Sequence, residues 1–387
     1  MGGGQGPLAD MVGADVMSAV DPGFWRGKSV FLTGHTGFKG AWLSLWLARL
    51  GASVHGYALE PPSTPNLFDL ARIGQAVTDT RADLRDLDAL LRAMDDARPD
   101  VVIHMAAQSL VRPGYEDPAG TFATNLMGTV HVLEAARRQP NLGVALMITT
   151  DKCYENREWV WAYREDEPMG GFDPYSASKG CAELAISAYR RSFFAAGGAR
   201  IASARAGNVI GGGDWARDRL VPDIMVALAE GRRPFIRNPE AVRPWQHVLE
   251  PLSGYLVLCQ KLWRDPSLAE GWNFGPADED ARPVRWIADR LCALWGEGAG
   301  WDTQPTRQPH EAHHLRLDCS KARARLGWRP RWDLGAALER IVAWYGSQAG
   351  GADARALTET QIAAYDSAQG GADGIGRQAV GGQQLVG

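Results

Sequence analysis

The chain has 387 residues, a formal net charge of −4, and unusually many glycines (45) and tryptophans (15). Its 45% hydrophobic and 22% charged residues are ordinary for a globular protein, which excludes a disordered, collagen-like or coiled-coil chain. The nearly balanced charge gives no reason to expect nucleic acid or an anionic membrane as a partner.

Neither a membrane span nor a disulfide-stabilised exported protein is expected. The longest apolar stretch, 41–50, is too short to cross a bilayer, and the N-terminus lacks the basic and apolar regions of a signal peptide. The five cysteines are scattered and form no CxxC pair, which argues against a disulfide framework or a zinc site. We therefore expect a cytoplasmic protein with reduced thiols and no metal site.

In chain order, glycine-rich tails at 1–21 and 367–387 are expected to be mobile. Between them, apolar runs typical of buried strands alternate with helical segments as far as about residue 207. This alternation predicts a Rossmann-type, doubly wound parallel sheet with helices on both faces. The predicted strands are 28–33, 52–59, 76–80, 101–107, 144–150 and 200–207, and the predicted helices are 38–50, 86–97, 118–138 and 175–194.

From about residue 208 the alternation ends. We predict a first domain of residues 22–207 and a smaller, discontinuous C-terminal lobe made mostly of residues 208–366, with roughly 240–265 returning to the first domain. Shorter helices are predicted there at 222–231, 248–264, 283–295 and 334–346.

The first motif is TGHTGFKG, residues 33–40, which joins the first predicted strand to the first helix. Gly34, Gly37 and Gly40 permit a tight turn and a close approach of the backbone to a pyrophosphate, and the helix N-terminus offers N–H groups to the anion. A purely structural glycine turn is the alternative. The position at the first strand–helix junction favours a dinucleotide site.

The second motif is Tyr175 and Lys179, which lie one turn apart on one face of a predicted helix. A nearby ammonium lowers the pKa of a tyrosine from about 10, so that Tyr175 could act as a base or acid on a sugar hydroxyl. Such pairs also arise by chance on helices. The hypothesis therefore depends on the glycine motif occurring in the same chain.

The third motif is Thr150, Asp151 and Lys152, at the end of a predicted parallel strand. Ligands of open α/β sheets bind at the carboxyl ends of their strands. A hydroxyl, a carboxylate and an amine at that place can hydrogen-bond a substrate and move its protons. The alternative is a solvated loop with an ordinary ion pair.

Together these residues resemble the extended short-chain dehydrogenase/reductase family, and within it the CDP-glucose 4,6-dehydratases. The similarity covers roughly residues 22–366. The stretches that carry it are TGHTGFKG (33–40), DLRD (83–86), HMAAQ (104–108), Asn125, TDKCYEN (150–156), EWVW (158–161), YSASK (175–179), RAGNVIGGGDW (205–215) and RPWQH (243–247).

The resemblance implies that the first domain binds NAD. The cofactor contacts that it implies are Gly34, Thr36, Gly37, Phe38 and Gly40 at the pyrophosphate, Asp83 and Leu84 at adenine, Ala106, Ala107 and Gln108 beside the ribose and nicotinamide, Lys179 at the nicotinamide ribose, and Tyr175 as a further cofactor contact. One departure concerns the acid that NAD-dependent relatives place after the second strand. Leu59 occupies that place, Glu60 follows one residue late, and no arginine is close in the sequence to bind a 2′-phosphate.

The reaction that the resemblance implies combines internal redox with elimination. Tyr175 would take the proton of the glucose 4-hydroxyl, Thr150 would hydrogen-bond the C4 oxygen, and Asp151 would protonate the departing 6-hydroxyl. Where related dehydratases carry a glutamate as the C5 base, this chain has Lys152. Lys152 would act either as a neutral amine base or as a cation that stabilises the enolate.

The implied substrate is the nucleotide sugar CDP-glucose, and relatives form homo-oligomers, dimers or tetramers. Asn208 and Arg243 match positions that bind the substrate pyrophosphate, and Asn273 is a weaker candidate for which a structural role is equally open. A nucleotide-sugar 4-epimerase is the alternative enzyme, but it does not need the acid at Asp151. A catalytically inactive scaffold would not need to keep Tyr175 and Lys179.

Overall fold

A computed structural model describes residues 19–303 and 314–368. Apart from 19–21 and 367–368, the two predicted mobile tails lie outside the described residues. The helices are α1 (Pro22–Trp25), α2 (Phe38–Arg49), α3 (Leu67–Leu70), α4 (Leu87–Ala97), α5 (Val111–Glu116), α6 (Pro118–Phe122), α7 (Gly128–Arg137), α8 (Pro174–Phe193), α9 (Leu220–Ala229), α10 (Leu249–Leu262), α11 (Val284–Trp295), α12 (Leu334–Ala349) and α13 (Ala354–Ser367). The strands are β1 (Ser29–Thr33), β2 (Ser53–Ala58), β3 (Thr78–Arg81), β4 (Val101–His104), β5 (Val144–Ile148), β6 (Arg200–Ala206), β7 (Asn208–Ile210), β8 (Phe235–Ile236), β9 (Val242–His247), β10 (Gly271–Phe274), β11 (Ala281–Pro283) and β12 (Asp302–Thr303).

Within the described residues, seven strands form the main sheet in the order β10-β6-β5-β4-β1-β2-β3. All of their pairings are parallel. The strand order reverses between β1 and β4, so this edge of the sheet has the crevice in which such folds bind ligands. The predicted Rossmann-type, doubly wound α/β sheet is therefore confirmed.

Both faces of the sheet are covered, which explains why its strands read as continuous apolar runs. On β1, Val30 and Leu32 belong to one hydrophobic cluster, whereas Phe31 between them belongs to a second cluster on the opposite face. The first cluster includes side chains of α2 and α10, and the second includes side chains of α4, α7 and α8.

The smaller lobe is built around two short sheets. One has the order β11-β9-β7, and the other pairs β8 with β12. The chain returns to the main sheet through α10, which packs against β5, and then through β10, which becomes an edge strand of that sheet. Of the segment 240–265 predicted to return to the first domain, β9 belongs to a small sheet, and α10 packs on the main sheet.

The helix predicted over 118–138 is divided in the structure. Residues 123–127 form one wide π-type turn between α6 and α7. Asn125 within this turn is buried, and its side chain bonds the backbone of Gln108 and the Ser178 hydroxyl, all at 2.9 Å. Because these partners lie elsewhere in the chain, the local periodicity did not reveal the wider turn.

The C-terminal helix α13 packs against α2. Tyr365 packs edge-to-face against Trp46 of α2, with ring centroids 5.7 Å apart. Its hydroxyl donates to buried Glu250 of α10 at 2.5 Å, and Arg331 donates to its carbonyl at 3.0 Å. In the described part of the chain, none of the helices combines the length and apolar character needed to cross a bilayer.

Candidate active site

The glycine turn brings three backbone segments into close contact. Gly34 has a φ of +78°, and a Cβ there would lie 2.8 Å from the Ala106 amide nitrogen. A Cβ on Gly40 would collide with the Gly34 carbonyl. Thr33 ties this turn to the end of β4, because its hydroxyl accepts the N–H groups of Met105 and Ala106 at 3.1 Å.

Gly37 is the N-cap of α2 and has no side-chain cap, so the helix start keeps backbone N–H groups for a ligand. Thr36 donates its hydroxyl to the Leu59 carbonyl at 3.0 Å, and Phe38 lines the adjoining cleft. This close-packed, side-chain-free cradle at a helix N-terminus fits the pyrophosphate of a dinucleotide.

At the end of β2, the side chain of Leu59 is exposed and Glu60 forms an ion pair with Arg81 at 2.9 Å. The expectation that no arginine lies near this place is therefore wrong, because the fold brings Arg81 to Glu60. Arg81 also bonds Asp79, and its guanidinium lies 4.5 Å from the ring centroid of Phe68. These contacts engage the guanidinium within the protein, beside two carboxylates.

The remaining residues predicted to contact the cofactor lie on loops after β3 and β4. Asp83 pairs with Arg85 at 2.6 Å, which holds the pKa of its carboxyl below the usual value, and Leu84 is buried in the second hydrophobic cluster. Ala106 and Ala107 are half-buried. Gln108 uses its side chain within the protein, donating to Thr121 and accepting the Leu110 N–H.

Thr150, Asp151 and Lys152 form the turn that follows β5. Because catalytic roles are predicted for these residues, the turn (residues 150–153) is called the catalytic turn below. The Thr150 hydroxyl donates to Asp151 Oδ1 at 3.1 Å, whereas Asp151 Oδ2 is buried and has no hydrogen-bond partner among the described residues. Burial raises the pKa of Asp151. A carboxyl group with a raised pKa in a cavity wall is suited to hold and deliver a proton.

Helix α8 packs against this turn and carries Tyr175 and Lys179. Asp173 caps it, accepting the Ser176 N–H at 3.1 Å, and this cap sets Tyr175 in the first helical turn. Lys179 donates to the carbonyl of Ile148 at 3.3 Å. The same helix therefore attaches both residues to the carboxyl end of β5.

The expected lowering of the Tyr175 pKa is not found. Burial raises the pKa of Tyr175 to about 12, although its interaction with Thr150 acts in the opposite direction. Burial also lowers the pKa of Lys179 to about 8. At both residues the loss of hydration is the largest cause of the shift, because burial disfavours the charged form of each group.

A cavity of about 1050 Å³ connects the catalytic turn with the smaller lobe. Its lining includes Thr150, Asp151, Lys152 and Tyr175, together with Asn208 and Arg243. A volume of this size accommodates a ligand larger than a simple sugar.

Asn273 is not part of this cavity, and its predicted substrate contact needs correction. The side chain is completely buried, and its amide donates to the carbonyls of Tyr163 and Asp318 at 2.9 and 3.2 Å. Its oxygen accepts the Tyr154 hydroxyl at 2.8 Å. The amide is therefore satisfied by the protein, and Asn273 has a structural role.

A group of arginines in the cavity lining, Arg112, Arg219 and Arg237, was not predicted from the sequence. Arg219 bonds Asp214 at 2.9 Å and Ser109 at 3.0 Å. Asp218 accepts Arg237 at 2.6 Å and pairs with Arg112 at 3.2 Å. The alternating charges of 214–219 were a signal for this group, but the partners across the cavity were not visible in the sequence.

Lys39 is a further cation in the cavity wall. Its ammonium lies 3.4 Å from the Tyr255 hydroxyl, and burial lowers its pKa to about 7. The cavity therefore combines titratable groups at the sheet edge with several cations, an arrangement suited to an anionic substrate that undergoes proton transfer.

Comparison with known proteins adds three findings. Residues 31–274 match the family model described as GDP-mannose 4,6 dehydratase. The chain is 53% identical over 355 residues to the CDP-glucose 4,6-dehydratase of Salmonella typhimurium (strain LT2), covering 90% of this chain and 99% of that protein. It is 30% identical over 273 residues to the dTDP-glucose 4,6-dehydratase of Streptomyces antibioticus, covering 70% of this chain and 76% of that one.

Solved structures agree on the fold. The NAD complex of the dTDP-glucose 4,6-dehydratase of Bacillus anthracis matches with a TM-score of 0.68 at 18% identity, covering 82% of this chain and 96% of that chain. The UDP-glucose 4-epimerase of Thermotoga maritima, solved with UDP-glucose, matches with a TM-score of 0.72 at 21% identity, covering 82% and 99%.

Proposed function

Because the chain belongs to the family of nucleotide-sugar 4,6-dehydratases, NAD-dependent hydro-lyases of the extended short-chain dehydrogenase/reductase class, we propose that its substrate is CDP-glucose and its products are CDP-4-keto-6-deoxy-D-glucose and water. The observation that carries this proposal is the placement of Tyr175, Asp151 and Lys152 around one cavity. The 53% identity to a CDP-glucose 4,6-dehydratase supports the choice of nucleotide.

For the cofactor, Gly34, Thr36, Gly37, Phe38 and Gly40 would hold the pyrophosphate at the start of α2. Asp83 and Leu84 would lie at adenine, and Ala106, Ala107 and Gln108 beside the ribose and nicotinamide. When bound, NAD supplies an acceptor for the C4 hydride and returns a hydride to C6. Lys179 would fix the nicotinamide ribose, since its ammonium is held at the end of β5.

For the sugar, Tyr175 would take the 4-hydroxyl proton while Thr150 bonds the C4 oxygen. The C4 ketone makes the C5 proton acidic. Asp151, whose pKa burial raises, would protonate the 6-hydroxyl as it leaves. Lys152 would either remove the C5 proton as an amine or stabilise the enolate as a cation. Asn208 and Arg243 would hold the diphosphate, for which the arginine fork is well suited.

The two pKa shifts in α8 give an expected pH profile. Below about pH 8, kcat/KM should rise about tenfold per pH unit, because the phenolate fraction of Tyr175 increases while Lys179 stays charged. Above about pH 8, the loss of the Lys179 charge should offset the gain in phenolate, so the profile should level off. In the Lys179→Met variant, a lower rate should continue to rise through that range. A wild-type rate that falls as the pH rises towards 8 would contradict the role of Tyr175 as a base.

A panel of CDP-, dTDP-, GDP- and UDP-glucose in deuterated water tests the proposed reaction. With CDP-glucose we expect a 4-keto-6-deoxy product that carries deuterium at C5, and little turnover of the other three. An unlabelled or absent product rejects the dehydratase, and CDP-galactose as the product selects a 4-epimerase. Preference for another nucleotide would keep the reaction and overturn the assignment of the substrate.

We also propose which parts of the chain bind the cofactor and the substrate. Residues 22–207, with the later segments that join the main sheet, would bind NAD, and residues 208–366 would mostly bind the nucleotide sugar.

A homo-oligomer is supported by Leu184 and Phe193, whose side chains are 60% and 51% exposed on α8. A cytoplasmic location is supported by the five unpaired cysteines.

A further inference from the structure

The catalytic turn is short, and both of its ends are attached to the same buried ion pair. Thr149 precedes the turn and Tyr154 follows it. Arg205 of β6 and Glu183 of α8 lie behind them, 4% and 5% exposed. The pair joins Arg205 Nη2 to Glu183 Oε2 at 2.9 Å and Arg205 Nε to Glu183 Oε1 at 2.9 Å, which is a two-pronged geometry.

Glu183 holds the first end of the turn. Its Oε1 accepts the hydroxyl of Thr149, and its Oε2 accepts the hydroxyl of Ser203 at 2.7 Å. Burial alone would raise the pKa of this carboxyl, but Arg205 and these hydrogen bonds keep it below its usual value. Glu183 lies one helical turn after Lys179, so the carboxylate connects the helix of the tyrosine–lysine pair to the strand that carries the acid.

Arg205 holds the second end. Its Nη1 donates to the Tyr154 hydroxyl at 2.6 Å and to the carbonyl of Glu165 at 3.0 Å. Tyr154 in turn donates to Asn273, and its ring stacks on Tyr163 with centroids 5.2 Å apart. The pairing of β10 with β6 places Asn273 directly opposite Arg205, which explains why this asparagine belongs to the network.

We infer that the Glu183–Arg205 pair positions Asp151 and Lys152 relative to Tyr175, and that it serves the elimination half of the proposed reaction more than the oxidation half. This inference rests on the proposed function. Tyr175 and Lys179 are fixed by their own helix and by the Ile148 carbonyl. The catalytic turn depends on contacts at Thr149 and Tyr154, both of which lead to the same ion pair.

The physical reason is that the rate of proton transfer falls steeply when the acid or base moves away from the substrate atom. An acid that has moved by about 1 Å can lose about a hundredfold in rate. Removing one bond at an end of the turn should let Asp151 and Lys152 shift while the ion pair remains intact. Glu183, Arg205, Thr149 and Tyr154 are therefore positioning residues.

Tyr154→Phe is the first test, because it removes the hydroxyl and keeps the ring stack. In single turnovers of the NAD-loaded enzyme with CDP-glucose, we expect elimination to slow by at least about tenfold and C4 oxidation to slow much less, because only Thr150 of this turn takes part in the proposed oxidation. Reduced cofactor should then accumulate, visible by its absorbance, and deuterium should enter C5 more slowly. Tyr163→Phe is the matched control in the same ring stack and should keep the wild-type ratio of the two rates.

Thr149→Val and Thr149→Ser test the other end and guard against a folding defect in the first variant. Valine removes the bond to Glu183, and serine keeps it, so accumulation of reduced cofactor should appear with valine and disappear with serine. The thermal unfolding temperature of each variant shows whether a slower elimination comes from a destabilised fold. Equal slowing of oxidation and elimination, or an unchanged ratio in both Tyr154→Phe and Thr149→Val, would overturn the inference. If the wild-type enzyme neither oxidises CDP-glucose at C4 nor eliminates water from it, the proposed function is overturned, and the positioning role with it.

Discussion

Replacing Tyr175 with phenylalanine is expected to lower kcat by about a thousandfold, which corresponds to about 4 kcal/mol of transition-state stabilisation. The phenol is 8% exposed at the cavity wall, and its ring would remain in the same packing after the hydroxyl is removed. No reduced cofactor should accumulate, because the first proton transfer is lost before the hydride leaves C4. Stopped-flow absorbance and steady-state kinetics measure these effects.

The control for this variant is Tyr189→Phe on the same helix. Tyr189 donates its hydroxyl to Glu134 of α7 at 2.8 Å and does not line the cavity. The activity of the Tyr189→Phe variant should match that of the wild type. CDP binding, followed by calorimetry, should be the same in both variants and the wild type. Turnover by Tyr175→Phe at the wild-type rate would remove Tyr175 from the role of base.

Replacing Lys152 with methionine is expected to lower the rate of elimination by about a hundredfold or more, while C4 oxidation continues. Lys152 lines the cavity next to Asp151, and methionine keeps much of its length without its nitrogen. Reduced cofactor and 4-keto-glucose should therefore accumulate. Absorbance of the reduced cofactor, together with deuterium incorporation at C5, separates the two halves of the reaction.

Lys152→Arg distinguishes the two roles that remain open for this residue. Arginine keeps a positive charge but cannot act as a neutral base near neutral pH. Partial elimination by this variant would indicate that the cation stabilises the enolate, and complete loss would indicate an amine base. Lys28→Met, at the opposite end of β1 beside Asp100, is the matched control. Elimination at the wild-type rate in Lys152→Met would exclude both roles.

The parts of the fold that the sequence predicted well are those controlled by neighbouring residues. The segment from β1 through the glycine turn to α2 combines a buried run, a fixed glycine spacing and an apolar helix, all within about twenty residues. Tyr175 and Lys179 are likewise placed by one helix. Their spacing alone did not indicate the direction of the Tyr175 pKa, because burial depends on the whole surrounding wall.

The errors concern residues whose neighbours are set by strand pairing. Arg81 follows Leu59 by 22 positions, but the register of β2 and β3 places Arg81 opposite Ala58. Asn273 resembled a substrate ligand until its strand was seen opposite Arg205. In both cases the long-range strand pairing decides what the side chain contacts.

The packing of α13 on α2 has a consequence for the synthesis of the chain. Trp46 lies in the first helix after the glycine turn, yet Tyr365, which covers it, is made more than three hundred residues later. The seventh strand, β10, also follows most of the sheet by a long interval. The N-terminal part of the main sheet can therefore not reach its final packing as an independent unit during synthesis, because that packing needs β10 and α13.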